Sequence, residues 1–270
     1  MQGSSRAAAT QSREAFTAAL TAGVDLPRLA GELFSVVGLL DSNSHLRRAV
    51  ADSARDGGDK VSLTERLFGG KVSDAALTVL KGVIGQRWSS DRDLTDSLES
   101  YAVETVVAAA ESNERVDRVE DELFRFERIV AADPDLAAAL GDTSVPADKR
   151  LALVDNLLRD KVAEETSLLA RQAVSAPRGR RFGRTVEGFL EAASRRRDQQ
   201  TATVTSAVTL TEGDKERLVA GLSALYGGKV HLNTLIDPRV LGGVKVEIGD
   251  EVIDGTVIRK LDGARRAMGV

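Results

Sequence analysis

The chain has 270 residues, of which 42% are hydrophobic and 4% aromatic, and it contains no cysteine. That hydrophobic share supports packed cores and excludes general disorder, while the lack of cysteine excludes disulfides, thiolate metal sites and cysteine nucleophiles. With 37 basic against 41 acidic side chains the formal net charge is −4, so the positive surplus that drives nucleic-acid binding by counterion release is absent.

Cores rich in Ala and Leu suit close-packed helices better than β-sandwiches. The opening residues Met1-Gln2-Gly3-Ser4-Ser5-Arg6 lack the apolar core of a signal peptide. No run reaches the roughly 18 apolar residues of a spanning helix. The expectation is no direct membrane insertion, any membrane association running through another protein.

Successive amphipathic helices are predicted in chain order. The first covers residues 6–22, with Ala15, Phe16, Ala19 and Leu20 on one stripe and Gly23 as a stop. The second starts near Asp25 with Pro27 in its first turn, and carries Leu29, Leu33, Val36, Val37 and Leu40. Short helices follow at 45–54, ended by Gly57-Gly58, and at 61–68, ended by Gly69-Gly70. Ser73 caps a helix bearing Leu77, Leu80, Ile84 and Trp88, and a long helix spans 91–110.

The series then starts again. Glu32-Leu33-Phe34 recurs 90 residues later as Glu122-Leu123-Phe124, and at that offset Leu63 meets Leu153 and Lys71-Val72 meets Lys161-Val162. The pattern predicts two copies of one helical module, residues 1–95 and 96–198. No Gly or Pro separates them, so one continuous helix is expected to bridge the two. In the second copy Pro134 opens a helix, Pro146 sits in a turn and Pro177 ends a helix.

Near Thr201 the period changes from 3.6 to 2. Ala202, Val204, Ser206, Val208 and Leu210 alternate as a strand, and Thr211 with Asp214 resembles a helix cap before the stripe Leu218, Leu222, Leu225 and Tyr226. A strand at 229–236, a turn at Asp237-Pro238, a strand at 244–248, a tight hairpin at Gly249-Asp250 and a short helix at 256–267 complete the chain. The expected fold is therefore mainly α: two consecutive helical bundles followed by a small β-α-β-β-α domain over residues 199–270.

A catalytic centre is hard to assemble from these residues. The two histidines, His45 and His231, fall in different predicted domains, His45 at a polar helix start and His231 alternating with Val230 and Leu232. Gly70-Lys71 and Gly228-Lys229 lack the upstream glycine of a phosphate loop and read as helix stops. Glu120-Asp121-Glu122 and Glu164-Glu165 sit early in helices, where they favour the dipole. The basic clusters Arg178-Gly179-Arg180-Arg181 and Arg195-Arg196-Arg197 read as solvated surface, helix-end charge or salt bridges to a partner. No catalytic, cofactor or metal residue is expected. Grooves between helices remain, able to take an amphipathic partner helix. Phe16 and Leu20 with Leu77, Leu80 and Ile84 could line one, the alternative being that all five are ordinary core residues.

The run Asp237-Pro238-Arg239-Val240-Leu241-Gly242-Gly243-Val244-Lys245-Val246-Glu247-Ile248-Gly249-Asp250-Glu251-Val252-Ile253-Asp254-Gly255-Thr256-Val257 resembles the C-terminal signature of the ATP synthase delta subunit family, whose mitochondrial counterpart is the oligomycin sensitivity-conferring protein. Its marks here are Asp237, Pro238, Gly242, Gly243, Gly249, Asp250, Asp254 and Gly255. Thr205-Ser206-Ala207-Val208-Thr209-Leu210 and Leu67-Phe68-Gly69-Gly70-Lys71-Val72-Ser73 resemble further family stretches. The resemblance implies a non-catalytic peripheral-stalk subunit of a proton-translocating rotary ATP synthase, at the cytoplasmic face of the cell membrane. It implies two partners: N-terminal helices of the alpha subunits for the helical part, and the b-subunit stalk for the C-terminal domain. The chain departs from the family pattern by one extra helical module, a form that suggests an actinobacterial lineage. A generic helical-repeat adaptor unrelated to ATP synthesis also explains the helices, but not the C-terminal match. A hydrolase built on an acid pair fits least.

Overall fold

In the computed structural model, α1 (Gly3–Ala19), α2 (Leu26–Ser42), α3 (Ser44–Ala51), α4 (Gly57–Phe68), α5 (Asp74–Ile84) and α6 (Asp91–Ser112) are followed by α7 (Val116–Ala132), α8 (Pro134–Gly141), α9 (Ala147–Leu158), α10 (Glu164–Ser175) and α11 (Phe182–Gln199). The structure describes residues 3–20, 23–199, 201–226, 230–240, 242–248 and 251–255. It divides into two compact units, Met1–Ala193 and Ser194–Val270.

Short polar side chains set the helix starts. Asp25, Asn43, Asp56, Ser73, Ser90 and Asp133 each accept a hydrogen bond from a backbone N–H of the helix they precede, satisfying donors that a helix start leaves unpaired. Two expected details change. Gly57-Gly58 does not end a helix but forms the first turn of α4, which Asp56 caps; glycine at 57 lets this turn pass the Gly85 backbone, since a Cβ there would lie 2.8 Å from the Gly85 carbonyl oxygen. Trp88 lies past the end of α5, yet it is buried and donates its indole N–H to the Val83 carbonyl at 2.8 Å.

Helices α2–α5 start at residues 26, 44, 57 and 74, and α7–α10 at 116, 134, 147 and 164, a uniform shift of 90. The bonds recur with the helices. Glu32 Oε2 accepts from the Ser73 backbone N–H at 3.0 Å and its hydroxyl at 2.5 Å, just before α5. Glu122 Oε2 accepts from the Ala163 N–H at 2.8 Å and the Thr166 hydroxyl at 2.6 Å, at the start of α10. Gly70 and Asp160 both take a left-handed φ, +69° and +59°, a conformation glycine adopts freely and aspartate tolerates. Lys60 and Arg150 are both buried cations turned onto backbone carbonyls near the end of the helix opposite, Gln86 and Val174 respectively.

Between the two series α6 runs unbroken through the expected boundary at 95/96. It packs against α1, α2, α3, α5, α7 and α10, and from Tyr101 to Ala110 every residue is buried. A helix surrounded in this way shows little amphipathic pattern. The buried apolar residues from Ala8 to Ala193 make one contiguous core.

Two ionic contacts fasten other elements to α6. Glu104, fully buried, receives both guanidinium nitrogens of Arg13 from α1, one of them at 3.0 Å. Glu99 receives Arg178 at 2.8 Å and Arg180 at 2.5 Å, both from the loop between α10 and α11. Arg178 also pairs with Asp96 at 2.8 Å and with Asp41 of α2, and donates to the Thr95 hydroxyl at 2.7 Å. Its side chain is 6% exposed. Of the run read as solvated surface, helix-end charge or salt bridges to a partner, Arg181 is exposed but Arg178 is an internal clasp: three carboxylates within reach are worth more to a guanidinium than water is.

In the second unit β1 (Thr201–Ser206), α12 (Glu212–Tyr226), β2 (His231–Ile236), β3 (Val244–Ile248) and β4 (Glu251–Asp254) form a sheet of order β2-β1-β3-β4 with one helix. β1 and β2 are parallel, joined through α12, while β1–β3 and β3–β4 are antiparallel. Ala202, Val204, Leu222, Val230, Val246 and Ile248 form the core. The strand expected to reach Leu210 stops at Ser206, whose hydroxyl donates to the Val208 carbonyl at 2.6 Å. Thr211 does cap α12, accepting from the Asp214 N–H at 3.2 Å. β4 is a fourth strand beyond the three expected, too short to show a period. The helix expected at 256–267 and the Gly249-Asp250 hairpin tip lie outside the described residues, although Ile248 pairs with Glu251 across that tip.

Both the repeated carboxylates and the clasp can be tested by stability. Burial opposes ionisation of Glu32 and Glu122, but hydrogen bonds from Ser73 and Thr166, and Arg28 and Arg118 beside them, outweigh it and hold both carboxyls below their ordinary 4.5. A depressed carboxyl adds stability above its unfolded pKa and loses it as pH falls through the folded value. The melting temperature should therefore fall as pH drops below about 4.5, and less steeply in the Glu32→Gln/Glu122→Gln double variant. Equal slopes would contradict this. Arg178→Met leaves the Glu99 carboxylate buried with only Arg180 to compensate it, and should cost about 3–5 kcal/mol in urea denaturation. A loss under about 1 kcal/mol would show that water replaces the guanidinium.

Candidate partner-binding faces

The five residues named from the sequence come together on α1 and α5, or just beyond. Phe16 stacks on Tyr101 with ring centroids 4.5 Å apart, and Leu80 and Ile84 are wholly buried. Leu77 is 9% exposed, and Leu20 packs half-buried against the same core. In the free chain all five turn toward the chain's own interior. The helices meet closely because Gly82 has no side chain: a Cβ there would stand 2.2 Å from the Cβ of Ala15. Arg13 lies 5.0 Å from the Tyr101 ring centroid, and the Ser12 hydroxyl is 2.9 Å from the Tyr101 oxygen, closing the other side of α1.

A more open feature lies between the two helical series. Gly31, Phe34 and Ser35 of α2 face Ser167, Leu168 and Gln172 of α10 across a cleft of about 510 Å³. Glu164 and Arg171 line it as well, Arg171 paired with Asp155 of α9. No sequence signal marked this cleft, because its walls belong to helices more than a hundred residues apart.

The C-terminal signature proves to be backbone architecture. Asp237 accepts the Arg239 N–H and side chain at 3.0 Å while its own N–H donates to the Ser206 carbonyl at 2.9 Å, so the Asp237-Pro238 turn is tied to the end of β1. Gly242 and Gly243 adopt φ of +67° and +78°, which side chains strain to reach. The Gly255 N–H donates to the Val244 carbonyl at 3.0 Å, and a Cβ at Gly255 would crowd that oxygen at 3.2 Å. Asp254 pairs in register with Lys245. Gly249 and Asp250 lie outside the described residues.

The remaining candidates take structural places. His45 is exposed in the first turn of α3, and His231 starts β2, its side chain outside the described residues. Lys71 folds back onto the Leu67 carbonyl at 2.8 Å, closing the end of α4, whereas Gly228-Lys229 lies outside the described residues. Glu165 is held by Asn113 at 2.9 Å. The clasp around Arg178 was missed because Asp41 and Arg178 are joined only by the fold. The one local hint is the left-handed φ of +54° at Arg178, which no sequence pattern announces.

Comparison with known proteins finds relatives in sequence over nearly the whole chain. The family model described as "ATP synthase delta (OSCP) subunit" matches residues 98–268, the stretch from α6 through the sheet unit. The protein named ATP synthase subunit delta of Acidothermus cellulolyticus is 43% identical over 272 residues, covering 99% of both chains. Those of Beutenbergia cavernae and Streptomyces griseus are 44% and 42% identical, covering 92% and 99% of this chain and 91% and 99% of their own. The first helical series, outside the family model, is thus shared by relatives aligned end to end. The chain belongs to the ATP synthase delta (OSCP) subunit family.

Proposed function

We propose that the chain is the stator link of a rotary ATP synthase, its helical unit holding N-terminal helices of the alpha subunits and its sheet unit holding the b-subunit stalk. Delta subunits are structural, not catalytic, parts of the ATP synthase. The observation that carries the reading is this membership combined with two separate compact units on one chain. A link that bears the reaction torque of the rotating stalk needs several interfaces acting together. Joining them covalently turns each rebinding into an intramolecular event at high effective concentration.

The helical unit is read as two copies of one module, with residues 1–95 the added copy and 96–198 the copy adjoining the sheet unit. The start of the family match at residue 98 supports this division. No helix among the described residues is long and apolar enough to cross a membrane. The position proposed is therefore peripheral, at the cytoplasmic face, held there by the stalk. The generic-adaptor alternative has no support from relatives aligned over 99% of the chain.

Val204→Asp in the full chain tests the two-ended arrangement, since Val204 is fully buried in the small sheet core. Burying an unpaired carboxylate there disrupts that unit. Calorimetric titration should show that binding to a stalk peptide, the C-terminal segment of the b protein, is lost. Binding to an alpha peptide, the N-terminal segment of the alpha protein, should be kept. Loss of both, with the helical circular dichroism unchanged, would contradict separate ends.

A further inference from the structure

The repeat departs from its own pattern at one position. Trp88, between α5 and α6, is buried within its own series and donates its indole N–H to the Val83 carbonyl at 2.8 Å. The residue 90 positions later, between α10 and α11, is Arg178. Its guanidinium reaches out of its series to Asp41 of α2 and to Thr95, Asp96 and Glu99 near the start of α6. The acids are as particular to this contact as the arginine: 90 positions on from Asp41, Asp96 and Glu99 stand Ala131, Val186 and Phe189. The contact is therefore no part of the repeated module. It belongs to the joint between the two copies.

Elsewhere that joint runs through α6. From the first series α1, α2, α3 and α5 pack on this helix, and from the second α7 and α10 do. Where α2 and α10 face each other, the cleft of about 510 Å³ separates them, and Ala176, two residues before Arg178, lines it.

We propose that the loop of residues 176–181 is a latch. With Arg178 seated on Asp41, Asp96 and Glu99, the two helical series form one rigid body; with Arg178 withdrawn, the second series pivots on α6 and the cleft between α2 and α10 changes width. The inference concerns the chain alone and stands or falls apart from the stator reading.

Three features make this contact a latch and not ordinary packing. It is directional, because a guanidinium fork held by three carboxylates fixes position as well as distance. It is sprung: Arg178 and Gly179 take φ of +54° and +74°, a left-handed turn that glycine adopts freely and arginine only under constraint. Losing the ion pairs lets that backbone relax away from its seat. It is also reversible, since Arg180 stays on Glu99 at 2.5 Å, which keeps the loop near α6 and the buried carboxylate compensated while Arg178 is out. Hinges are a few residues at element ends that absorb a change in backbone angles, and residues 176–181, between the end of α10 and the start of α11, are such a segment.

The chain has no cysteine, so two introduced cysteines carry spin labels at two known places. Ser62 on α4 and Ala152 on α9 are exposed and occupy equivalent positions in the two series. In the full chain carrying Ser62→Cys and Ala152→Cys, double electron–electron resonance should give one narrow distance distribution. Adding Asp41→Asn, which leaves Arg178 its other two carboxylates, should broaden it. Adding Arg178→Met instead should broaden it further, with circular dichroism like that of the parent. Asp91→Asn is the control: Asp91 and Asp41 lie 2.8 and 4.0 Å from the same Arg47, but the Arg47–Asp91 pair joins α3 to the start of α6, outside the latch. Its distribution should match the parent's. A distribution as narrow in Asp41→Asn as in the parent would overturn the latch, and so would a broad parent or equal broadening by Asp91→Asn. Should Arg178→Met fail to fold, Asp41→Asn decides alone.

Discussion

Two carboxylates on α6, Glu99 and Glu104, are shut away from water, and the helical unit is arranged to bring cations to them. A buried charge without a partner costs several kcal/mol, so the arrangement of its neighbours is constrained by it. Arg13 reaches Glu104 from the helix at the start of the unit, and Arg178 and Arg180 reach Glu99 from a loop near its end. Asp41 of α2 joins the same cluster. Helices from both series are thereby referred to one unbroken central helix. Apolar packing supplies the bulk of the cohesion, but it is non-directional. The ion pairs, with fixed donor geometry, specify which side of α6 each segment takes.

Much of this was legible in the sequence because it is local. The cap at Ser73, the prolines at 27 and 134, and apolar spacing fixed most helices to within a few residues. The 90-residue offset was legible because it carries bonded residues, Glu32 and Glu122 among them. Gly57-Gly58 misled because glycine serves both helix stops and close approaches, and only the position of Gly85 decides between them. The basic run at 178–181 misled for a related reason: arginines look solvated until the fold brings acids to them. β4 has four residues and too little alternation to register.

The candidate site divides in the same way. The C-terminal signature could be found from sequence since its glycines answer to local φ angles and its aspartate to a local turn. The groove residues on α1 and α5 were found as an apolar stripe, but a stripe cannot say whether it meets a partner or its own chain. Here Phe16, Leu80 and Ile84 meet their own chain. The cleft between α2 and α10 has no signature, for it is made by the way two similar helical series stack. Relatives aligned over the whole length share the first series that the family model leaves out, so the longer helical body is a property of this branch and not of one chain.

A brace that couples two neighbours has to hold both at once. Native mass spectrometry of the full chain, mixed with the alpha peptide and the stalk peptide, observes that state directly. The expected result is a ternary species with one stalk peptide and at least one alpha peptide on a single chain. Binary complexes alone, each ligand displacing the other, would contradict it.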